Sequence, residues 1–412
     1  MNEMMKKYKR LIGCIIIICI LCGVILSFVF SKLFNKMAEN PITEEDFLET
    51  YNDKIVNQKK EEILLKGTNL GGWLLQEYWM CPVVGDKNIE QWTNEETLQV
   101  LEERFGEKKT QELIKEYEDN WITEWDIKNI AKKGCNVIRI PFWYRNFMKD
   151  ANGTWLTKKI DDNPGIKRLD WVIDTAQKYG IYVILDMHGC PGGQSYNHST
   201  GTARKYELFT NEKYQDAMEE LWVTIAKRYK DNPAVAAYDI MNEAQEYNGD
   251  IDSDPRNKLY DRMIKAIREV DNRHIITVEG IWGLEVLPNP KDVGWKNILY
   301  QVHFYNVNDV EAAENLCNNL DQYSKNYNIP VYLGEFSYMG FIDSCKKYNI
   351  HYTTWSYKGS VDMNDTWFMY YKNLEQADIK NDTYEQIKKK WGNCLNTKKF
   401  DEDTEITKYY KQ

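Results

Sequence analysis

Short apolar segments alternate with longer amphipathic segments along most of this chain. Eight of the short segments are rich in Val, Ile, Leu and aromatic residues, which is typical of buried strands. The predicted strands are Leu64–Asn69, Asn136–Ile140, Ile181–Asp186, Val235–Met241, His274–Glu279, Ile298–Phe304, Val331–Gly334 and His351–Trp355. Between them, apolar residues recur near helical spacing, for example in Glu212–Tyr229 and Ala312–Tyr327. Because alternating strands and helices form parallel sheets with right-handed crossovers, the pattern predicts an α/β fold, a (β/α)8 TIM barrel.

A stretch of twenty residues near the N-terminus, Leu11–Phe30, carries no charge. At a rise of about 1.5 Å per residue, a helix of this length crosses a hydrocarbon core of about 30 Å. Basic residues are concentrated before it, and only Lys32 and Lys36 follow closely. Since positive charge favours the cytoplasmic side, we expect a single-pass cell-membrane protein with a cytoplasmic N-terminus and an extracellular barrel. The alternative is a cleaved signal peptide and a secreted protein.

These features predict five consecutive parts. They are a basic cytoplasmic N-terminus at 1–10, a transmembrane signal-anchor at 11–30, a polar and acidic stalk at 31–53, a catalytic barrel at 54–395 and a C-terminal tail at 396–412. At the start of the barrel, Lys54–Asn57 and Glu62–Lys66 predict a pair of strands. The long stretch between the first strand and Trp125 contains helical segments, and we expect it to form an elaborated loop over the active face.

The net charge of −10 argues against nucleic acid or an anionic surface as partner, and suits a neutral substrate. Three of the nine cysteines lie in the predicted membrane helix, and the others are far apart without a CxxC pair. Disulfide pairing therefore stays open. The sequence has no HExxH motif, no pair of histidines four residues apart and no glycine-rich phosphate loop, so no metal and no cofactor are predicted.

Two glutamates, Glu243 and Glu335, stand 92 positions apart, each at the end of a predicted strand. The carboxyl ends of the strands are where barrel enzymes place their catalytic groups. Two carboxylates are also the equipment for cleaving a glycosidic bond, because one protonates the leaving oxygen and the other attacks the sugar carbon. The alternative is a pair of ordinary acids that face solvent. Other strand ends carry further polar groups, among them Arg139, His188 and His303, and this convergence favours a site.

Several segments resemble glycoside hydrolase family 5, the cellulase family, within a larger clan of retaining barrel glycosidases. They are Leu65–Leu74, Asn136–Phe142, Leu185–Gln194, Met241–Ala244, His303–Tyr305 and Gly334–Phe336. The Gly71-Gly72-Trp73 element and the His188–Gln194 element are similar to the exo-β-1,3-glucanase-like branch. The resemblance runs from about Lys54 to Trp391, in order and at barrel spacing.

The resemblance implies roles for individual residues. Glu243 would be the acid/base and Glu335 the nucleophile, with Arg139 stabilising the charge of Glu335. The remaining implied substrate-binding residues are Asn242 at the sugar 2-hydroxyl, His188 and His303 at hydroxyls or carboxylates, Tyr305 as a donor to Glu335, Trp355 as a stacking floor, and Glu77 at a terminal glucose. Each also has an ordinary structural interpretation, such as an ion pair, a turn cap, a core aromatic residue or a solvated loop charge.

The implied function is a retaining β-glycosidase that hydrolyses β-1,3 or β-1,4 bonds of β-glucans at the cell surface. Two alternatives are a non-catalytic carbohydrate-binding protein on the same barrel, and a transglycosylase or glycolipid glucosidase that uses the same site. The chain departs from the family pattern at Ala244, where proline is usual, at Cys190, where alanine is usual, and at Gly193, which is often serine. These departures leave the exo mode of action open.

Overall fold

Eight parallel strands close into a barrel in the computed structural model, which describes residues 41–86, 88–89, 91–245, 249–362 and 367–410. The strands are β1 (Lys66–Asn69), β2 (Val137–Trp143), β3 (Tyr182–Gly189), β4 (Val235–Asp239), β5 (Ile275–Glu279), β6 (Ile298–Phe304), β7 (Val331–Phe336) and β8 (His351–Thr354). Each strand pairs with its neighbours in chain order, and β8 closes the barrel on β1. The predicted (β/α)8 architecture is therefore confirmed, with strand ends displaced by only a few residues.

Amphipathic helices surround the barrel. In the described chain they are α1 (Asn94–Phe105), α2 (Glu107–Trp121), α3 (Glu124–Lys132), α4 (Pro164–Lys178), α5 (Glu212–Tyr229), α6 (Pro255–Arg268), α7 (Pro290–Val293), α8 (Val310–Tyr327), α9 (Phe341–Tyr348), α10 (Tyr384–Lys390) and α11 (Thr404–Thr407). Helices α4, α6 and α7 each begin with Asn or Asp followed by Pro, and the capping side chain accepts backbone N–H groups of the first turn. As predicted, the long connection after β1 carries helices, α1 to α3.

Short strands and single turns of 3-10 helix fill the connections. The short strands are Glu49–Tyr51, Lys54–Val56, Val83–Val84, Lys358–Gly359, Tyr370–Tyr371, Ala377–Asp378 and Asp401–Glu402. The 3-10 turns are Glu44–Asp46, Tyr144–Asn146, Ile160–Asp162, His198–Thr200, Leu284–Val286, Asn393–Leu395, Thr397–Lys399 and Lys408–Tyr410. Strand Lys54–Val56 pairs with Glu49–Tyr51, whereas its contact with the predicted partner is a single bridge from Val56 to Glu62.

The compact unit that contains the barrel begins at Ile42 and includes the described residues up to 410. The backbone N–H of Ile42 donates to the Gln177 carbonyl at 3.0 Å, and the Phe47 ring packs on His274 with the ring centroids 4.6 Å apart. At the other end, Asp401–Glu402 pairs with Tyr370–Tyr371. The described parts of the predicted stalk and tail are thus packed segments of the barrel unit, because their apolar side chains are buried on it.

The prediction of a single-pass membrane location is corrected by the structure. Within residues 41–410, as far as they are described, no helix combines the length and the apolar character needed to cross a bilayer. The predicted membrane helix at 11–30 and the basic segment at 1–10 lie outside the described residues. The structure therefore gives no support to the membrane and cell-surface assignments.

The layer between helices and strands fixes the strand ends that matter for chemistry. Trp222 on α5 is fully buried and packs on Phe142 of β2, with the ring centroids 5.7 Å apart. Its indole N–H donates to the Ile240 carbonyl at 3.0 Å, directly after β4. This contact holds the chain just before Asn242 and Glu243.

Candidate active site

Arg139 lies at the centre of the carboxyl end of the barrel and is completely buried. From β2, its guanidinium donates to Glu335 Oε1 at 2.6 Å, to Asp239 Oδ2 at 2.8 Å and to Asn242 Oδ1 at 2.8 Å. Asp186 Oδ2 lies 3.1 Å from the same guanidinium. Because the strands are parallel, their carboxyl ends meet at one face, and Arg139 joins β2, β3, β4 and β7 there.

Arg139 carries one positive charge and contacts three carboxyl groups, those of Asp186, Asp239 and Glu335. Burial raises the pKa of the Asp239 carboxyl to about 7, although the charge of Arg139 opposes this rise. Arg139 is thus the charge around which the buried carboxylates are arranged. A planar group with five N–H donors suits this position, since it reaches several acceptors in different directions at once.

Glu335 lies on β7 and is 3% exposed. Besides the bond from Arg139 to Oε1, the Tyr305 hydroxyl donates to Oε2 at 2.5 Å. The Tyr305 ring stacks on Trp367, with the ring centroids 5.2 Å apart and the planes within 14°. Both carboxylate oxygens therefore have a fixed donor, and the two donors stabilise negative charge on Glu335.

Glu243 follows β4 in an unusual backbone conformation, with φ at 42°. This left-handed region is uncommon for a residue other than glycine. The backbone N–H of Glu243 donates to Glu279 Oε2 at 2.8 Å, and its carboxyl Oε1 lies 2.9 Å from His303 Nδ1. Burial raises the pKa of the Glu243 carboxyl, and the negative charge of Glu77 adds to the rise. Glu243 therefore favours its protonated form more than an exposed glutamate does.

His303 connects Glu243 to a polar group inside the barrel. The Gln301 amide donates to His303 Nε2 at 3.0 Å, so the other ring nitrogen, Nδ1, is assigned the proton that faces Glu243. Burial lowers the pKa of His303 to about 3, and the ring is therefore neutral near pH 7. Gln301 fits because residue 334 is glycine: a Cβ there would lie 2.7 Å from the Gln301 amide carbon.

His188, Asn242 and Trp355 form the other side of the site. His188 Nδ1 lies 2.7 Å from Asp186 Oδ2, and Asn242 Nδ2 lies 3.4 Å from His188 Nε2. Burial alone would lower the pKa of His188, but the charge and hydrogen bond of Asp186 outweigh it and raise the pKa to about 9. The His188 ring stacks on Trp355, with the ring centroids 5.4 Å apart and the planes within 15°.

Glu77 is buried, in the loop after β1, with 4% of its surface exposed. The Trp79 indole donates to its Oε2 at 2.9 Å, and His198 Nε2 lies 3.1 Å from the same oxygen. Burial alone would raise the pKa of the Glu77 carboxyl, but the close contact with His198, the charge of His188 and the bond from Trp79 hold it below its usual range. An ionised acceptor is therefore held near Glu243, whose pKa it raises.

The two glutamates face each other across a short gap. One carboxyl oxygen of Glu243, one of Glu335 and a ring nitrogen of His303 all lie within 4.8 Å of one another. The spacing would also suit a cation. However, Glu335 already accepts bonds from Arg139 and Tyr305, and Glu243 already contacts His303 Nδ1. A positively charged guanidinium bonded to one of the three groups disfavours a second cation there.

Comparison with known families agrees with this geometry. A family model described as Cellulase (glycosyl hydrolase family 5) matches residues 94–376, which is more than half of the chain. The chain belongs to glycosyl hydrolase family 5. The predicted resemblance to the cellulase family is thereby confirmed, and the match includes both Glu243 and Glu335.

The relatives of this family 5 chain are named for different glycosidase activities. It is 30% identical over 274 residues to a beta-xylosidase from Phanerodontia chrysosporium. The aligned region makes up 65% of this chain and 53% of the relative. It is 32% identical over 198 residues to Endoglucanase C from Acetivibrio thermocellus, and the aligned region makes up 48% of this chain and 54% of the relative. It is 24% identical over 307 residues to a probable glucan 1,3-beta-glucosidase A from Aspergillus niger, and the aligned region makes up 69% of this chain and 67% of the relative. The chain thus spans about half the length of the first two relatives.

The structure brings most of the predicted site residues of this family 5 chain into one connected group. Hydrogen bonds and close polar contacts join Arg139, His188, Asn242, Glu243, His303, Tyr305 and Glu335. Trp355 joins this group by stacking on His188. Glu77 contacts Trp79 and His198 and interacts electrostatically with Glu243.

Other polar residues of the group were not predicted as site residues. They are Asn69, Asp186, Asp239, Glu279 and Gln301, and all are fully buried. Asn69 accepts a bond from Arg139 at 3.1 Å, and Glu279 accepts the Glu243 amide. Their positions in the carboxyl halves of predicted strands are the sequence feature that could have identified them as part of the site. The sequence does not show which of such polar residues point inward at the same height.

Proposed function

We propose that this chain is a retaining β-glycosidase that hydrolyses β-1,3 or β-1,4 glucosidic bonds of β-glucans. The separation of the two glutamates is the observation that carries the proposal. One carboxyl oxygen of Glu243 lies within 4.8 Å of one carboxyl oxygen of Glu335. Retaining enzymes hold their carboxyl groups about 5–5.5 Å apart, whereas inverting enzymes hold them about 6.5–9.5 Å apart to make room for a water molecule.

In the first step, Glu335 is the nucleophile. Its carboxylate attacks the anomeric carbon, and the bond between that carbon and the leaving oxygen breaks. Glu243 gives its proton to the leaving oxygen, so that the departing sugar leaves as an alcohol. Arg139 and Tyr305 hold the carboxylate in place before the attack, and a covalent glycosyl ester on Glu335 results.

In the second step, Glu243 is the base. Now ionised, it takes a proton from a water molecule that attacks the same anomeric carbon, and the ester bond to Glu335 breaks. The sugar leaves with its original β-configuration, and both glutamates return to their starting protonation states. The elevated pKa of Glu243 suits this double role, because the group must hold a proton in one step and accept one in the next.

The remaining residues bind the sugar. We assign Asn242 to the 2-hydroxyl, where a hydrogen bond strengthens as the transition state forms. His188 and His303 offer ring nitrogens to hydroxyls or orient the carboxylates. Trp355 supplies a flat apolar ring for the C–H face of a glucose ring. Glu77, a buried and ionised acceptor, binds sugar hydroxyls.

Glucose as the sugar and β as the linkage are supported by family membership and by the names of the relatives. One of these is named an endoglucanase and another a probable glucan 1,3-beta-glucosidase. The second name specifies a β-1,3 linkage for that protein. The placement of Glu77, together with the similarity of the Gly71-Gly72-Trp73 element, favours binding of a chain end over internal attack.

The test compares the parent chain with Glu335→Gln and with Glu314→Gln, a control on α8 whose carboxylate contacts Lys347 on the outer surface. Each protein is incubated with β-1,3- and β-1,4-linked glucan tetrasaccharides, and the product anomer is followed by proton NMR. We expect the parent and the control to release the β-anomer first, and Glu335→Gln to release nothing. Initial release of the α-anomer, or unchanged cleavage by Glu335→Gln, would overturn the proposal.

A further inference from the structure

Glu279 is an acid that the reaction above does not use, and it lies directly behind Glu243. At the carboxyl end of β5 its side chain is completely buried. Its Oε2 accepts the backbone N–H of Glu243 at 2.8 Å, and its Oε1 lies 3.3 Å from His303 Nδ1. Glu279 therefore touches both the acid/base residue and the histidine that bonds to the carboxyl of that residue.

The contact with the Glu243 backbone matters because of the local conformation. A glutamate at φ 42° is held in a sparsely populated region, and such a conformation persists only where the surroundings enforce it. The Glu279 carboxyl supplies an acceptor for the one backbone donor of that residue. Without it, the amide would be buried without a partner, and the backbone would be free to relax towards an ordinary φ.

The contact with His303 matters because of the ring tautomer. Gln301 donates to Nε2 of the ring and also lies 3.4 Å from Glu279 Oε2. Glu279, Gln301 and His303 thus form one polar cluster within the barrel, and the cluster directs the Nδ1 proton of His303 towards Glu243. Burial, together with the charges of Glu243 and Asp239, raises the pKa of Glu279 well above its usual range. The residue therefore favours its protonated form, which glutamine resembles in shape and in hydrogen bonding.

We propose that Glu279 is a positioning residue, which aims the Glu243 carboxyl at the leaving oxygen by holding the Glu243 backbone and the His303 ring. This inference rests on the proposed function. It assigns Glu279 to the proton-transfer half of the reaction and leaves the attack by Glu335 to Arg139 and Tyr305. Its loss should therefore slow formation of the glycosyl ester only for substrates that need a proton on the leaving group.

The experiment uses two substrates that differ in this need. The tetrasaccharide cleaved by the parent has an alcohol as leaving group and requires an acid, whereas 2,4-dinitrophenyl β-glucoside has a leaving group that departs unprotonated. Four variants are compared: Glu279→Gln, Glu279→Leu, Glu279→Asp and Thr277→Val. Thr277 is the matched control, because it lies two residues earlier on β5, is completely buried and has a hydroxyl group without a hydrogen-bond partner in the described structure.

We expect Glu279→Leu to lower kcat/KM for the tetrasaccharide about 100-fold, which lies within the usual contribution of general acid catalysis. The kcat/KM for the dinitrophenyl glucoside should change less than about fivefold, because formation of the covalent intermediate then needs no acid. Glu279→Asp, which keeps an acid but shortens it by one methylene group, should show the same selective loss. Glu279→Gln should stay within about threefold of the parent on both substrates, and so should Thr277→Val.

Equal losses of kcat/KM on both substrates would overturn the inference, since they would indicate damage to the nucleophile or to the barrel. Unchanged kcat/KM for the tetrasaccharide in Glu279→Leu or Glu279→Asp would overturn it as well. If Glu279→Leu fails to fold, Glu279→Asp and Glu279→Gln still give the comparison. A parent chain that cleaves neither substrate would instead count against the proposed function, so the two failures are distinct.

Discussion

The Arg139 guanidinium donates to the Glu335 carboxylate at 2.6 Å, and neither side chain has more than 4% of its surface exposed. Other residues at the same end of the barrel fix the position of this guanidinium, because it also donates to Asp239 and Asn242. Breaking one partner of a buried pair leaves uncompensated charge, which costs about 3–5 kcal/mol. The Arg139–Glu335 bond therefore contributes both to the stability of the fold and to the placement of the proposed nucleophile.

Replacing this arginine by lysine is expected to lower the free energy of unfolding by about 3 kcal/mol or more, because one ammonium group cannot reach all four acceptors. The control is Arg228→Lys, whose side chain is 29% exposed and contacts Asp161 and Asp170 on the outer surface. That change should cost less than about 1 kcal/mol. Urea denaturation of both variants measures the difference. Equal losses would show that Arg139 is an ordinary ion pair.

Tyr305→Phe removes one donor from Glu335 and leaves the ring stacked on Trp367. A hydrogen bond to a charged group contributes about 1.5–3 kcal/mol, so kcat should fall about 10- to 100-fold. The melting temperature should change little, since the ring keeps its packing. Tyr229→Phe is the matched control, because its hydroxyl bonds to Asp170 outside the barrel. Steady-state kinetics on the cleaved tetrasaccharide checks the prediction, and a loss of the same size in the control would contradict it.

Glu77→Gln is expected to move the alkaline limb of the pH–rate profile to lower pH. The negative charge of Glu77 raises the pKa of Glu243, and Glu243 must be protonated for the first step. Removing that charge lowers the pKa of Glu243, so the proton is lost at a lower pH. The acid limb should not move in the same way, because it reports a different group. The measurement is kcat against pH for the parent and the variant, and a shift to higher pH would refute the assignment.

Buried neutral histidines should make the barrel sensitive to acid. Burial lowers the pKa of His303 and that of His351 to about 3 in the folded chain. Since an unfolded histidine titrates near 6.5, the unfolded state binds more protons between these values, and stability falls as pH decreases from about 6.5 towards 3.

His351→Gln should remove one of these two contributions. His351 accepts the backbone N–H of Leu65 at 3.2 Å, far from the carboxyl ends of the strands, and glutamine keeps an acceptor. The slope of unfolding free energy against pH should therefore decrease by about 1.4 kcal/mol per pH unit in this window. Denaturant unfolding at several pH values gives the slope. An unchanged slope would show that His351 is protonated in the folded chain.

The positions of Glu243 and Glu335 could be predicted from the sequence because each follows a short apolar segment that can only be a buried strand. Parallel strands then bring their carboxyl ends together without further information. Glu279 ends such a segment too, yet its raised pKa depends on burial and on Glu243 and Asp239, and its bond to the Glu243 backbone joins two different strands. Spacing along one chain segment does not carry that information.

Loop and terminal contacts were the hardest to predict, since they join distant parts of the sequence. Glu77 is held by Trp79 and His198, and only the first of these is its neighbour in sequence. The segment from Ile42 reads as an acidic stalk because few apolar residues stand among its charges. Two of these few, Phe47 and Ile42, nevertheless dock on the barrel through His274 and Gln177.

The central claim is that Glu335 forms a covalent bond to the sugar, and trapping that bond tests it most directly. The parent chain is incubated with 2,4-dinitrophenyl 2-deoxy-2-fluoro-β-glucoside, whose fluorine slows the second step more than the first. Intact-protein and peptide mass spectrometry then locate any label. We predict one fluoroglucosyl group per chain, on the peptide that contains Glu335, and none on Glu335→Gln. A label on Glu243, or active parent protein that is never labelled, would contradict the account.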